Sequence, residues 1–289
     1  MPDGEVLCVG ELLWDELPAG LFLGGAPFNV ACYLSAAGVP ATMVSRVGAD
    51  RLGREAIRRA GRYRVATDLV QVDPTLRTGF VKAKIDDSGQ PTYVIGDGVA
   101  WDAIEPNEML LARAEKSRAI VFGTLAQRNA TSRRTIERLW ESKALMVFDA
   151  NLRPPFEDRE VIRRSLERAD VVKVNAEELQ LLASWFGLPA GDRESASALS
   201  KMFSCPVVCV TRGQAGAGLW RDETWTEHPG FEVEVLDTVG AGDAFLAILL
   251  AGLLSGADSE TLLKNANRMG ANVAMQSGAL PADQFTRSY

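Results

Sequence analysis

The chain has 289 residues, 47% of them apolar and 24% charged, with a formal net charge of −7. That length suits one large α/β domain with room for a modest insertion. The acidic balance speaks against nucleic acid or an anionic membrane surface as a partner, so an anionic substrate would need a local positive site. The single histidine, His228 in the polar stretch "WTEHPG", excludes a two-histidine metal site, and a Ser-His-Asp hydrolase would have to rest on that one loop or strand-end residue.

The N-terminal stretch "MPDGEVLCVGELLWDELP" carries acids early and has no basic n-region, so it does not read as a signal peptide. "EVLCVG" (5–10) reads as a strand, "FNVACYLSAAG" (28–38) as a helix, "ATMVSRVG" (41–48) as a strand and "DRLGREAIRRAG" (50–61) as an amphipathic helix stopped by Gly61. From Thr78 to Gly96 the chain alternates with period two around "DDSGQ", which predicts a hairpin. Afterwards strand and helix alternate. "AIVFG" precedes helix 131–143, "ALMVFDA" precedes helix 158–168, and "DVVKVN" precedes helix 176–186; helix 193–203 precedes "CPVVCVT". Two helices, 242–254 and 260–276, close the chain, and the tail "ALPADQFTRSY" reads as an edge piece or a slightly frayed end. The apolar run from Ala244 to Leu254 is too short to cross a bilayer and is interrupted by Gly252. Cys8, Cys32, Cys205 and Cys209 sit among apolar neighbours and read as buried thiols of a cytoplasmic protein. The expected fold is a three-layer α/β/α domain over 1–289 with a mainly parallel sheet, carrying a small β lid formed from about 12–23 and 76–104.

"DTVGAGDAF" (237–245) poses the chemical question. A glycine-rich turn that opens a helix leaves backbone N–H groups unpaired at the positive end of the helix dipole, where an anion can approach them. Such a loop can hold a phosphoryl group in flight, and Asp243 beside it can accept the proton of an attacking alcohol. A plain helix start, with Asp243 favouring the dipole and the glycines easing packing, is the competing reading. "VTRGQAGAG" lacks the G-x-G-x-x-G spacing, and no G-x-x-x-x-G-K-[ST] occurs, so neither a dinucleotide fingerprint nor a P-loop is supported.

The chain resembles the ribokinase-like (PfkB) carbohydrate kinases. "DTVGAGD" matches their C-terminal signature; "GGAPFNVA" (24–31) with "SRVGADRLG" (45–53) resembles the N-terminal one. "FDANLRPP", "VKVNAEEL" and "VTRGQAGAGLW" follow in the family's order. "GELLWDELP", "GGAPFNVA" and "DANLRPP" are most similar to the fructokinases. The resemblance implies an ATP-dependent sugar kinase phosphorylating a primary hydroxyl, with fructose as the first candidate. Ribose, a 2-keto-3-deoxygluconate-type sugar acid and a nucleoside are its rivals within the family, and a non-catalytic sugar-binding regulator is the rival outside it.

Residue by residue, the resemblance makes Asp243 the catalytic base and the N–H groups of Gly240, Ala241, Gly242 and Asp243 the anion hole. It makes Asp15, Gly24, Gly25 and Asn29 the sugar contacts. The glycines would let a polyol approach the backbone, and Asn29 offers a donor and an acceptor. Asn175 and Glu178 match an N-x-x-E element that arranges Mg2+ and phosphates through water, and they equally spell a helix capping box. Thr211, Gly213 and Asn272 fall where the family holds the nucleotide. Arg153, held extended before two prolines, would face phosphate. Asp237, with "QSGALPAD" (276–283), would hold a monovalent cation such as K+, although Ala282 stands where several relatives place a hydroxyl. Lys82 and Lys84 share a lid face with Phe80, to reach phosphate or simply to be solvated. Arg128 is the residue a sugar acid would use, and Phe28 and Trp101 are those a nucleoside base would stack on. The family also implies a homodimer joined through the lid.

Overall fold

The computed structural model describes residues 4–17, 20–85, 91–276 and 278–280, and for 17, 83–85 and 91–93 only the backbone. In chain order the strands and helices are β1 (Val6–Val9), β2 (Leu13–Leu17), β3 (Gly20–Gly24), α1 (Ala26–Ala36), β4 (Ala41–Gly48), α2 (Arg51–Arg62), β5 (Val70–Asp73), β6 (Gly79–Ile85), β7 (Pro91–Ile95), α3 (Glu108–Ala114), β8 (Ala119–Gly123), α4 (Ala130–Leu139), β9 (Leu145–Asp149), α5 (Arg159–Leu166), β10 (Val171–Asn175), α6 (Ala176–Phe186), α7 (Asp192–Phe203), β11 (Val207–Thr211), β12 (Ala217–Arg221), β13 (Thr224–His228), α8 (Ala241–Ser255) and α9 (Ser259–Ala274).

A nine-stranded sheet runs in the order β13-β12-β11-β10-β9-β8-β1-β4-β5. It is parallel from β11 to β5, and the hairpin β12–β13 is added antiparallel at one edge. The valine-rich strands are buried on both faces, as a covered parallel sheet requires. One face, with Cys8, Met43, Val121, Val147, Val171 and Cys209, packs against the apolar residues of α1, α8 and α9. The other, with Val9, Ile120, Phe122, Phe148, Val172 and Val210, packs against the helical layer from α3 to α7. β12–β13 escaped the sequence reading because its turn, Asp222–Glu223, adopts φ of 51° and 56° without a glycine to announce it.

β1 lies between β4 and β8, with Val6 opposite both Ala41 and Ala119. The chain therefore leaves β1 in one direction and later returns on its other side. The carboxyl ends beside such a reversal are where open α/β sheets bind ligands.

A separate four-stranded sheet, β3-β2-β6-β7, forms the lid. The predicted hairpin is present as antiparallel β6–β7, while its turn "DDSGQ" (86–90) lies outside the described residues. Helix boundaries moved by a few residues. α1 begins at Ala26, not at 28, because Pro27 suits the first helical turn, where its missing N–H costs nothing. Of the tail, 281–289 lies outside the described residues. Among the described residues no helix is long and apolar enough to cross a membrane.

Candidate active site

The mouth of α8 faces the carboxyl edge of the sheet. Gly240 is its N-cap at φ 79°, and a Cβ there would lie 2.5 Å from the carbonyl oxygen of Ala279. A Cβ on Gly242 would lie 3.3 Å from Nζ of Lys173. The glycines thus admit the protein's own atoms on their Cβ sides, as the competing packing reading of the turn has it. The backbone donors remain. Ala241 N–H donates to Thr238 O at 3.2 Å, whereas the N–H groups of Gly240, Gly242 and Asp243 have no acceptor among the described residues. Ala241 therefore drops out of the expected donor set. Asp237 braces this turn, its Oδ1 accepting from Val239 N–H and its Oδ2 from Gly278 N–H, both at 3.0 Å.

Asp243 is buried in the first turn of α8 and accepts a hydrogen bond from Asn29 Nδ2 at 2.8 Å. Asn29, on α1, is itself buried, and its Oδ1 has no partner. The amide orientation follows from charge, since Oδ1 turned toward a carboxylate would be repelled. Burial, reinforced by the charge of Asp149, pushes the Asp243 carboxyl up to about 6, while the Asn29 hydrogen bond, Lys173 and Arg153 pull the other way. Beneath Asp243, Lys173 Nζ and Asp149 Oδ1 form a buried ion pair at 2.9 Å. Arg153 is exposed at the mouth, and its charge acts on Glu11, Asp15 and Asp243 together.

On the lid side, Asp15 sits on β2 opposite Phe22 of β3. Burial raises it to about 6, offset in part by Arg153. A Cβ on Gly24 would lie 2.5 Å from Asp15 Oδ2, and one on Gly25 only 2.2 Å from the Glu11 carbonyl oxygen. The glycine pair folds the end of β3 against these two acids. Glu11, just past β1, accepts from Ala26 N–H at 3.3 Å and lines a crevice of about 10 Å³ with Thr124, Asp149 and Asn151. Burial raises Glu11 to about 7, with the charge of Asp243 adding to the rise.

A carboxyl whose folded-state value is raised contributes stability below its ordinary value and loses it as pH rises through the folded value. Glu11→Gln keeps an acceptor for Ala26 N–H but cannot ionise. Its melting temperature relative to the parent protein should therefore climb as pH is raised from 4.5 through about 7. A difference that stays constant across that range in thermal denaturation would refute the assignment.

On the opposite side, Asn175 caps α6 as a full capping box. Its side chain accepts from Glu178 N–H at 2.8 Å, and Glu178 Oε2 accepts from Asn175 N–H at 2.8 Å. Glu178 Oε1 also accepts from Leu152 N–H at 2.8 Å, tying the start of α6 to the loop that carries Arg153. Burial holds the Glu178 carboxyl above its ordinary value. Among the described residues no group of three or more His, Cys, Asp or Glu side chains could hold a metal ion. Thr211 ends β11 and donates to Val174 O at 3.4 Å, and Gly213 follows at φ 58°. Asn272 is exposed on α9, two residues past Gly270, where a Cβ would lie 3.4 Å from the Ala241 carbonyl oxygen. Leu236, Val239 and Met275 are exposed apolar residues around the same loop.

The residues weighed for other substrates are already engaged. Phe28 and Trp101 are wholly buried, Phe28 edge-on to Tyr63 and Trp101 beneath the Arg128 guanidinium, so neither offers a face to a base. Arg128 is buried in a bidentate pair with Asp102 at 2.7 and 2.8 Å and donates to Gly96 O at 2.5 Å; only Nη1 lacks a partner. Lys82 is exposed over Phe80, as a solvated lid face would have it, and the side chain of Lys84 lies outside the described residues. His228 accepts from Gly230 N–H at 3.0 Å in a strand-end turn. Sequence reasoning missed two groups, Lys173 and Glu11. The signal for the first was a lone lysine among valines in a buried strand. For the second it was an acid directly after the first strand.

Residues 19–284 match the model of the pfkB family of carbohydrate kinases. An uncharacterized sugar kinase of Pyrococcus horikoshii is 30% identical over 298 residues, covering 96% of this chain and 92% of that protein. Its crystal structure matches with a TM-score of 0.84 at 28% identity, covering 99% of this chain and 97% of that one. A fructokinase of Rhizobium leguminosarum bv. trifolii is 31% identical over 267 residues, covering 86% of this chain and 79% of that protein. The fructokinase of Vibrio cholerae O395, crystallised with fructose, ADP and calcium ion, matches with a TM-score of 0.81 at 26% identity, covering 97% of this chain and 96% of that one.

Proposed function

We propose that this chain, which belongs to the pfkB family of carbohydrate kinases and is a phosphotransferase with an alcohol group as acceptor, takes fructose as its sugar and yields fructose 6-phosphate, with ATP as the phosphoryl donor. The observation that carries the reading is the buried pair of Asn29 and Asp243 beside the helix mouth. Asn29 Oδ1, without a partner, is ready to accept from a sugar hydroxyl, while its Nδ2 steers the Asp243 carboxylate. In this reading Asp243 takes the proton of the primary hydroxyl as its oxygen attacks the γ-phosphorus, the bond from that phosphorus to the β–γ bridging oxygen breaks, and ADP leaves. The N–H groups of Gly240, Gly242 and Asp243 receive the transferring group, and Arg153 neutralises phosphate at the mouth. Asp15 and Asn29 orient the sugar, and closure of the lid excludes water as a competing acceptor.

Thr211, Gly213 and Asn272 would border the nucleotide. A divalent ion would draw most of its ligands from phosphate oxygens, as suits Mg2+, with Glu178 reaching it through water, since both carboxylate oxygens already accept backbone N–H bonds. That ion would neutralise phosphate charge. A monovalent ion such as K+ would lie at Asp237, beside the turn that Asp237 braces. The exposed Leu21, Phe22 and Val94 of the lid support a homodimer formed through that sheet.

A neutral sugar fits better than a sugar acid, because Asp102 already neutralises the Arg128 guanidinium. It also fits better than a nucleoside, because Phe28 and Trp101 are enclosed. The test is ATP consumption over a panel of ketoses, aldoses, sugar acids and nucleosides. Fructose should give the highest kcat/KM; a sugar acid or nucleoside ahead of it by tenfold, about 1.4 kcal/mol of discrimination, would overturn the assignment. No turnover on any sugar would count against catalysis itself and in favour of a sugar-binding regulator.

A further inference from the structure

Lys173 stands in the middle of β10, on the face shared with Val171, directly across from Asp149 on β9. One step down the same face, Val147 and Val171 are ordinary core. The charged pair is therefore a polar layer laid over an apolar one, at the end of the sheet nearest α8. Both side chains are nearly sealed, at 7% and 6% exposure. Burial alone would lower the lysine's proton affinity, but the charges of Asp149 and Glu178 hold it well above the usual range, so the ammonium is permanent.

Stability does not call for this pair, since well-packed apolar residues of similar volume commonly do as well or better than a buried ion pair. Its location is also unfavourable in isolation. The ammonium lies 3.3 Å from the ideal Cβ position of Gly242, against the first turn of a helix whose exposed N–H groups already make that end positive. A cation at a helix N-terminus is electrostatically misplaced unless an anion comes to that end. Asp149 pairs with it at 2.9 Å, and the Asp243 carboxylate in the first turn of α8 also acts on it, so the ammonium is set between two carboxylates at the helix mouth.

Resting on the kinase reading above, we propose that Lys173 is a positioning residue for phosphoryl transfer. Its ammonium, anchored by Asp149, backs the turn at Gly242 and sets both the place and the positive potential of the N–H cradle that receives the phosphoryl group. A methyl at Gly242 would lie 3.3 Å from the ammonium, so the lysine would have to give by a few tenths of an ångström.

The test replaces both charges together, Lys173→Met with Asp149→Asn, so that no charge is left buried alone. The folded double variant should keep its sugar KM within about twofold while kcat falls by about 30- to 100-fold, somewhat less than the loss of a direct oxyanion donor. A folded double variant with near-parental kcat would overturn the proposal, as would one in which the sugar KM rises in step with the loss of kcat. The second arm leaves the pair in place. Gly242→Ala in the parental chain should lower kcat by about tenfold at unchanged sugar KM, and cost much less in the double-variant background, because the two changes act through one contact. An equal loss in both backgrounds, or no loss in the parental chain, sinks the idea. If the double variant does not fold, Gly242→Ala in the parental chain decides: a loss of kcat by about tenfold at unchanged sugar KM supports the proposal, and no loss overturns it. Failure of the kinase reading looks different, since the unaltered protein would then consume no ATP with any sugar.

Discussion

Asp243→Asn should bind sugar with near-parental affinity and lose at least about a thousandfold in kcat, the upper part of the range for removing a positioned general base. The change is isosteric, and the amide oxygen it introduces can still accept the 2.8 Å bond from Asn29 Nδ2. The wall of the pocket therefore survives while the proton acceptor does not. In a loose phosphoryl-transfer transition state the hydroxyl proton leaves late, so much of the loss is loss of a charged group that orients the alcohol. The parental enzyme should also show an acid limb. Burial and Asp149 raise the Asp243 carboxyl to about 6, so turnover through the deprotonated form falls as pH drops through that value. Steady-state kcat, sugar binding by calorimetry and the pH profile together decide it. A variant with near-normal turnover would remove Asp243 from the chemistry.

Much of the architecture was legible because buried parallel strands write themselves as short valine-rich runs separated by helix-length segments, and "AIVFG", "LMVFD" and "VVCVT" fell where they were read. The lid was legible through period-two alternation. Loss of alternation hid β12–β13, whose non-glycine turn carries no composition cue. In the site, "DTVGAGD" announced a helix mouth with bare N–H groups, but only coordinates reveal that Ala241 N–H is already spent on Thr238 O. The two readings of Asn175 and Glu178 turned out to share one geometry. The capping box forms, and the same carboxylate reaches across to Leu152, a contact 26 residues away that no local pattern encodes. Arg128 was conspicuous as an arginine near a predicted pocket, and its commitment to Asp102 could not be read, because the pairing depends on how the lid base packs against β8 and α4.

Gly25→Ala and Gly24→Ala differ by one position and should fail in different ways. At Gly25 the backbone sits at φ 115°, which side-chain-bearing residues rarely adopt, and the new Cβ would meet the Glu11 carbonyl oxygen at 2.2 Å. That obstacle is backbone, fixed by β1 and the start of α1, so it cannot swing aside. The strain alone is of order 1–3 kcal/mol, and relieving the overlap adds to it. A drop of roughly 5–10 °C in melting temperature is expected for a chain of this size, with sugar affinity lost alongside because β3 and Asn29 shift together. At Gly24 the new Cβ would meet Asp15 Oδ2 at 2.5 Å, the far end of a side chain, and the backbone is unstrained. The carboxylate can rotate away at little cost to the fold, so stability should hold. If Asp15 holds the sugar, its KM should rise by roughly tenfold, the cost of misplacing one charged hydrogen-bonding group. Thermal melts and sugar KM on the two variants separate the cases. Equal melting temperatures for both would mean that the Glu11 loop yields, and an unchanged KM for Gly24→Ala would remove Asp15 from the sugar site while leaving Asp243 and the helix mouth untouched.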